Sequence, residues 1–308
     1  MDAAKRGATA AGALAIVLWS SLALVTTLSR AIPTFEALAI TFAIGASTLA
    51  LCFLPRQGLA GIASSWRRWP KRAFALAISG IFVYHALYFI SFRLAPVGPV
   101  TIINYLWPLA IVILAGLLPG GDSRLGWPQL AGGIAGFGAT VLLVGFGDLA
   151  LGGDALIGYL CAFACALVWG FYSVLNNRIG APGSEPMILV CAAVAVLGAV
   201  FHFAIGETFA VPDAPTALAL LVAGVGPVGV AFAAWDHATK KGNIALIGAM
   251  SYATPPLSMI LLVAAGAAEP SWRLALATVL VVAGAALAAM PAGRGRRAIT
   301  PRSGHAER

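Results

Sequence analysis

The chain has 308 residues, of which 60% are hydrophobic and 10% are charged, and it carries a formal net charge of +8. Soluble globular proteins contain about 25% charged residues, so this composition excludes a cytosolic enzyme, and a mean hydropathy of +0.93 excludes a disordered chain. The basic residues lie between apolar runs, which argues against a nucleic-acid partner. The sequence therefore predicts a protein that lies in a lipid bilayer.

Ten apolar segments follow one another along the chain, each with about the 20 residues that a helix needs to cross a bilayer. Pro, Gly and charge clusters give their boundaries. We number these segments spans 1 to 10 and predict them at residues 8–28, 36–54, 72–92, 98–118, 127–146, 156–178, 186–205, 215–236, 244–266 and 271–290. The predicted fold class is an all-α membrane protein with ten transmembrane helices.

The Lys and Arg residues divide unequally between the two sides of the predicted membrane. Of the 19, 16 lie on the side of the two termini, and Arg30, Arg93 and Arg273 lie on the other side. Because cytoplasmic loops accumulate Lys and Arg, we expect both termini in the cytoplasm. Residues 292–308 are interpreted as a basic cytoplasmic tail.

The two halves of the chain resemble each other at an offset of about 147 to 150 residues. Residues 15–20 match residues 165–170, and residues 104–108 match residues 251–255; the second match also aligns Arg93 with Lys240. If each repeat contains five helices, an odd number, the second repeat enters the membrane from the opposite side. We therefore predict two inverted five-helix repeats, at 1–148 and 149–291, around a central cavity. A chance similarity between apolar segments is the alternative.

Proline and glycine mark places where the predicted helices bend. A proline inside a helix removes a backbone hydrogen bond, and the repeat places a proline of span 4 opposite two prolines of span 9. Residues 224–229 of span 8 fit the dinucleotide fingerprint G-x-G-x-x-G, but they lie inside an apolar span with no preceding strand, so we reject a nucleotide site. The predicted hinge or kink residues are Pro108, Gly224, Gly226, Pro227, Pro255 and Pro256.

Aromatic and polar side chains share one face of span 3, where Tyr84, His85 and Tyr88 recur at helical spacing. A phenol or imidazole in hydrocarbon needs a partner or water, so this face either packs against other helices through hydrogen bonds or lines a wet cavity. The second interpretation predicts a substrate cavity formed by residues from several spans: Trp19, Tyr84, His85, Tyr88, Asn104, Trp107, Trp169, Tyr172, Trp235, Ser251 and Tyr252.

Charged and catalytic groups are sparse in the predicted membrane interior. Since pumps for organic cations commonly use an intramembrane carboxylate, a neutral or zwitterionic substrate is favoured. No phosphate-binding loop, metal-ligand cluster or catalytic constellation is present, which predicts a transporter without cofactor or metal rather than an enzyme. His85 is a candidate for proton coupling, with a structural role as the alternative. The acidic residues of the spans are predicted at span ends: Glu36, Glu185, Glu207, Asp236 and Glu269.

Four motifs carry a resemblance to a known family: residues 18–20 (Leu-Trp-Ser), 104–108 (Asn-Tyr-Leu-Trp-Pro), 234–236 (Ala-Trp-Asp) and 251–255 (Ser-Tyr-Ala-Thr-Pro). With the ten spans and the repeat, they resemble the EamA-type members of the drug/metabolite transporter superfamily over residues 8–290. Within that superfamily the chain is most similar to the bacterial aromatic amino-acid exporters.

This resemblance implies a bacterial inner-membrane protein that exports phenylalanine, tyrosine and tryptophan by alternating access. It also implies a substrate cavity bordered by spans 1, 3, 4, 6, 8 and 9. Spans 5 and 10 would be peripheral, in a monomer or a homodimer. An exporter or facilitator of another small metabolite or drug is the alternative, because members of one fold family differ in cargo.

Overall fold

The computed structural model describes residues 2–29, 31–118, 126–145, 152–266 and 269–290, and the regular secondary structure of these residues is entirely helical. Helices long and apolar enough to cross a membrane number nine within the described ranges. They are span 2 at Thr34–Arg68, span 3 at Lys71–Leu94, span 4 at Pro99–Leu117, span 5 at Trp127–Val144, span 6 at Gly153–Ile179, span 7 at Met187–Ala204, span 8 at Ala214–Lys241, span 9 at Ile244–Ala264 and span 10 at Trp272–Ala289.

Span 1 completes the predicted set but is interrupted. A helix at Ala3–Ser20 and a second helix at Leu22–Leu28 are separated by a turn at Ser21. The all-α membrane fold is therefore confirmed. The predicted tail, residues 292–308, lies outside the described residues.

Two predicted span ends are too early. In span 2 helical structure extends to Ser64, past the predicted end at residue 54, with a kink at Gly58, whose φ of 65° is accessible to glycine. Span 8 continues to Lys241 and not to residue 236, so Asp236 lies within the helix and is 0% exposed. The first charged residue after an apolar run marks where the hydropathy falls, but the helix itself can continue beyond that residue.

Polar side chains cap the N-terminal ends of spans 8 and 9. The Asp213 carboxylate accepts a hydrogen bond from the backbone N–H of Thr216 at 2.9 Å and so caps span 8, and these bonds hold the pKa of Asp213 below its usual value. The side chain of Asn243 accepts from the backbone N–H of Leu246 at 3.2 Å and caps span 9 in the same way. These caps satisfy N–H groups that have no partner inside the helix.

Three spans are broken at residues predicted to be hinges. In span 4 a turn at residues 105–106 separates Val97–Asn104 from Trp107–Leu117, and Pro108 lies in the first turn of the second helix. In span 9 a 3₁₀ turn at Ser251–Ala253 precedes Thr254–Ala264, which begins with Pro255 and Pro256 in its first turn. In span 8, Gly224–Val230 forms a π-helix. Proline fits the first turn of a helix, where its missing N–H would have no acceptor.

Helices of the two halves pack against each other in pairs: span 1 with 8, span 2 with 7, span 3 with 6, span 4 with 9 and span 5 with 10. If a two-fold axis exchanged spans 1–5 with spans 6–10, the pair 3 and 6 would map onto the pair 8 and 1. The pairs 2 and 7, 4 and 9, and 5 and 10 would each map onto themselves. The pairing is compatible with an inverted repeat, and the inversion and the repeat boundaries stay predictions.

Candidate substrate site

Tryptophan side chains from both halves of the chain meet at the centre of the bundle. Trp19 of span 1 lies 5.0 Å from Trp235 of span 8, 5.6 Å from Trp169 of span 6 and 6.5 Å from Trp107 of span 4, between ring centroids. The Trp19 ring is steeply inclined to those of Trp107 and Trp169, at 88° and 75°. Such edge-to-face pairs stabilise a structure by about 0.5 to 1.5 kcal/mol beyond the burial of area. We call these residues the tryptophan cluster.

Span 3 adds further rings to the tryptophan cluster. The Tyr84 ring centroid lies 5.1 Å from that of Trp169 and 6.0 Å from that of Tyr88, with which it is stacked at 20°. Tyr172 of span 6 lies 5.2 Å from Trp169. The helical face predicted for span 3 therefore points into the bundle, toward rings from spans 2, 6 and 8.

Residues of this central region differ in exposure. Trp107, Trp169 and Trp235 are buried, at 6%, 4% and 0%. Trp19 and Tyr88 are only partly buried. Along span 3, every residue from Tyr84 to Phe89 is partly exposed, and Val83 and Ile90 on either side are exposed. The rings of span 3 are thus more accessible than the tryptophans beneath them.

His85 belongs to the same region and has a defined hydrogen bond. Its Nδ1 lies 2.7 Å from the carbonyl oxygen of Ile81. Because a carbonyl only accepts, Nδ1 carries the proton and Nε2 is the acceptor in the neutral ring. The imidazole packs edge-on against Phe42 of span 2 at 5.3 Å.

Asn104, at the end of the first helix of span 4, touches the polar end of Tyr84. Its Nδ2 donates to the Tyr84 hydroxyl oxygen at 3.3 Å, and the residue is 5% exposed. Of the predicted cavity residues, the structure thus brings nine into one connected group: Trp19, Tyr84, His85, Tyr88, Asn104, Trp107, Trp169, Tyr172 and Trp235.

Ser251 and Tyr252 do not join this group. The Ser251 hydroxyl donates to the carbonyl of Ile247 at 2.8 Å within its own span. Tyr252 packs with Ala139 and Ala277 in a separate cluster between spans 5 and 10. The repeat match with residues 104 and 105 therefore does not carry over into a shared site.

The predicted hinge of span 8 contacts the tryptophan cluster and span 2. The Trp19 indole N–H donates to the carbonyl of Pro227 at 2.9 Å, which links span 1 to the π-helix. A Cβ on Gly224 would lie 2.5 Å from Cβ of Ile44, so span 2 approaches this backbone closely. A Cβ on Gly226 would meet only Leu18 Cδ2, at 3.5 Å. π-Helical turns occur frequently at functional sites.

A buried ionic network lies at one end of span 8. The Asp236 carboxylate is 2.8 Å from Lys240 Nζ and accepts hydrogen bonds from Ser184 Oγ at 2.6 Å and Asn176 Nδ2 at 3.0 Å. The Asp236 and Lys240 side chains are 0% and 4% exposed. Lys240 Nζ also lies 3.8 Å above the ring of Trp69, which precedes span 3. We call these residues the Asp236 network; it joins spans 6 and 8 to the start of span 3.

A second ionic network lies at the opposite end of span 3. Glu207 Oε2 accepts from the backbone N–H of Phe35 at 3.0 Å, at the start of span 2, and lies 3.0 Å from His202 Nδ1 of span 7. Glu207 Oε1 is 3.5 Å from Arg93, whose side chain is 58% exposed. We call these residues the Glu207 network. It joins span 2, span 7 and the end of span 3.

Sequence reasoning placed these acidic residues at span ends but did not predict either network. The partners come from spans far apart in the chain, so local spacing does not indicate them. One signal was present, because the repeat aligns Arg93 with Lys240, and each of these residues carries the positive charge of one network.

The two halves of the chain each match one profile, that of the EamA-like transporter family, at residues 6–145 and 156–290. The chain belongs to the EamA-like transporter family. Its many apolar helices make this transporter-family member a multi-pass membrane protein.

Several relatives of this family member share most of its length. A protein named aromatic amino acid exporter YddG from Ancylobacter novellus is 40% identical over 292 residues, covering 94% of this chain and 99% of that protein. A protein of the same name from Escherichia coli is 27% identical over 306 residues, covering 94% and 99%. A solved crystal structure that is 39% identical superposes with a TM-score of 0.86 and covers 92% of this chain and 97% of that one.

Proposed function

We propose that this protein exports phenylalanine, tyrosine and tryptophan across a bacterial inner membrane by alternating access. The observation that carries the proposal is the group of rings around Trp19, Trp169 and Tyr84, which come from both halves of the chain. The names of the relatives from Ancylobacter novellus and Escherichia coli support the same substrate class.

Ring contacts suit a transporter of aromatic side chains. A substrate ring can take an edge-to-face or offset position against Tyr84, Tyr88 or Trp19, with about 0.5 to 1.5 kcal/mol gained per pair beyond the burial of area. Each such contact is weak, so the substrate can also leave, as transport requires. The tryptophans beneath these rings are buried and form the floor of the proposed site.

The two ionic networks support alternating access. The Asp236 network is almost entirely buried, whereas Arg93 of the Glu207 network is 58% exposed. We infer that the protein is closed at the Asp236 end and more accessible at the Glu207 end. In transport, spans 3 and 4 would move against spans 8 and 9, bending at the breaks beside Pro108 and Pro255 and at the π-helix.

The distribution of basic residues supports an orientation for these ends. Lys240 and Lys241 belong to the side rich in Lys and Arg, and Arg93 belongs to the other side. By the positive-inside rule, the Asp236 network is cytoplasmic, the Glu207 network is periplasmic, and both termini are cytoplasmic. The accessible side of the aromatic site then faces the periplasm.

Uptake of radiolabelled phenylalanine into proteoliposomes tests the substrate. We expect saturable uptake that unlabelled tryptophan and tyrosine inhibit and lysine does not. Trp169→Ala removes a buried ring of the site and lowers this uptake, whereas Trp272→Ala removes a ring that is 68% exposed at the start of span 10 and leaves it unchanged. Absence of uptake under any imposed gradient would overturn the aromatic-substrate proposal and favour another small metabolite or drug.

Accessibility of a single cysteine tests alternating access. In a variant with the native cysteines replaced by Ser, Tyr88→Cys places a thiol on the partly exposed face of span 3. We expect a membrane-impermeant thiol reagent to reach it from the Arg93 side. Lys240→Met opens the other end and adds labelling from the Lys240 side. Equal labelling from both sides without that substitution would indicate a channel-like facilitator and not a transporter with alternating access.

A further inference from the structure

The amide oxygen of Asn104 is a buried acceptor with no hydrogen-bond partner among the described residues. The residue is 5% exposed, and its one hydrogen bond to a side chain uses the amide nitrogen. A buried polar group without a partner costs free energy, so native structures retain few of them, and a ligand that supplies the missing partner removes the cost.

The local structure fixes the direction of this oxygen. Asn104 is the last residue of the helix at Val97–Asn104, directly before the break that precedes Pro108. Its nitrogen donates to the Tyr84 hydroxyl, and the Tyr84 ring in turn packs against Trp169 and Tyr88. The amide oxygen is therefore held in place before any ligand binds.

Asn104 and Tyr84 together offer one acceptor and one donor. The Tyr84 hydroxyl oxygen accepts the bond from Asn104, so the hydroxyl proton is not used in that bond. An amide oxygen accepts only, and a hydroxyl proton donates only. Because both side chains are neutral, the pair does not favour a cation or an anion, and it suits a group with both charges.

We infer that Asn104 and Tyr84 recognise the zwitterionic head of the amino acid. The Asn104 amide oxygen accepts a hydrogen bond from the α-ammonium group, and the Tyr84 hydroxyl donates one to the α-carboxylate. The Trp169 ring, 5.1 Å from Tyr84, then lies where the substrate side chain can pack. This inference rests on the proposed function and adds which side-chain atoms form hydrogen bonds with the head group.

Inhibition of phenylalanine uptake by analogues tests the inference on the unaltered protein. Phenethylamine keeps the ammonium group and lacks the carboxylate, whereas 3-phenylpropionate keeps the carboxylate and lacks the ammonium group. A buried acceptor left without a donor penalises the second analogue more, so we expect 3-phenylpropionate to inhibit at least about tenfold more weakly than phenylalanine. Equal inhibition by 3-phenylpropionate and phenylalanine would overturn the role of Asn104.

Two substitutions extend the test. Asn104→Leu removes the acceptor, so we expect the KM for phenylalanine to rise at least about tenfold and the discrimination against 3-phenylpropionate to shrink. Asn104→Asp keeps an acceptor and adds a negative charge, so phenethylamine becomes a stronger inhibitor. Asn177→Leu is the matched control, because the Asn177 amide nitrogen donates to the carbonyl of Thr239 and not to a residue of this site. We expect this variant to discriminate between phenylalanine and 3-phenylpropionate as the wild type does.

The outcomes separate this inference from the proposed function. If the wild-type protein takes up no aromatic amino acid, the proposed function falls and the inference falls with it. If uptake is saturable but Asn104→Leu keeps the wild-type discrimination, the inference alone is overturned. If Asn104→Leu does not fold, the analogues on the wild-type protein and the change in selectivity of Asn104→Asp decide the question.

Discussion

Replacing Lys240 by Met removes one charge of a pair that is almost fully buried. The Asp236 carboxylate, 0% exposed, would keep its hydrogen bonds from Ser184 and Asn176 but lose the ammonium group 2.8 Å away. Met preserves most of the length and volume of the Lys side chain, so the substitution tests the charge with little change in packing.

The magnitude of the effect follows from burial. Both members of the pair lie below 5% exposure, so solvent does not screen the charge that remains. Breaking a buried ion pair by removing one partner costs about 3 to 5 kcal/mol, because a carboxylate is left desolvated without its counter-ion. Removing both charges avoids this cost, so the double variant Asp236→Asn with Lys240→Met is expected to regain most of the lost stability.

Unfolding by SDS titration in mixed micelles measures these free energies for the wild type, the two single variants and the double variant. Lys241→Met is the control, because it removes the exposed charge of the neighbouring residue and is expected to change the free energy of unfolding little. A double variant as unstable as the sum of the single variants would refute the reasoning. It would mean that packing or the hydrogen bonds of Asp236, and not the ion pair, hold this end together.

Three further perturbations have defined outcomes. Trp19→Phe keeps a ring in the tryptophan cluster but removes the N–H that donates to the carbonyl of Pro227. We expect a loss of about 1 kcal/mol in the free energy of unfolding and slower phenylalanine uptake. Unchanged uptake would show that this bond does not constrain the π-helix. Gly224→Ala forces a Cβ to within 2.5 Å of Ile44 Cβ in span 2 and is expected to cost about 1 to 3 kcal/mol. Gly226→Ala makes only a van der Waals contact with Leu18 Cδ2 at 3.5 Å and should be tolerated. Equal unfolding curves for the two variants would contradict the close approach. The lowered pKa of Asp213 means that its cap contributes stability at neutral pH, and this contribution is lost as the pH falls through that lowered pKa. Asp213→Asn should therefore lose less stability on acidification than the wild type does. Identical pH profiles of unfolding for the two proteins would argue against the cap.

Local features of the sequence predicted the fold well. Each span needs only its own run of apolar residues. The breaks beside Pro108 and Pro255 and in the Gly224 segment follow from the backbone properties of proline and glycine, which do not depend on other spans. The shared face of Tyr84 and Tyr88 is likewise a consequence of helical spacing. These predictions depend on residues close together in the chain, which is why sequence alone supports them.

Contacts between distant spans were beyond sequence reasoning. Tyr252 aligns with Tyr105 in the repeat but packs between spans 5 and 10, against residues that the local sequence does not indicate. The partners of Asp236 come from span 6 and the connection after it.

The sequence by itself determined that this protein spans a membrane, where its helices lie and where they break, since hydropathy and proline act locally. Only the tertiary structure decided which polar atoms are paired. Among the described residues the Asn104 oxygen lacks a hydrogen-bond partner, whereas the Asp236 carboxylate has several. Burial and hydrogen bonding depend on side chains that the fold brings together from distant parts of the chain.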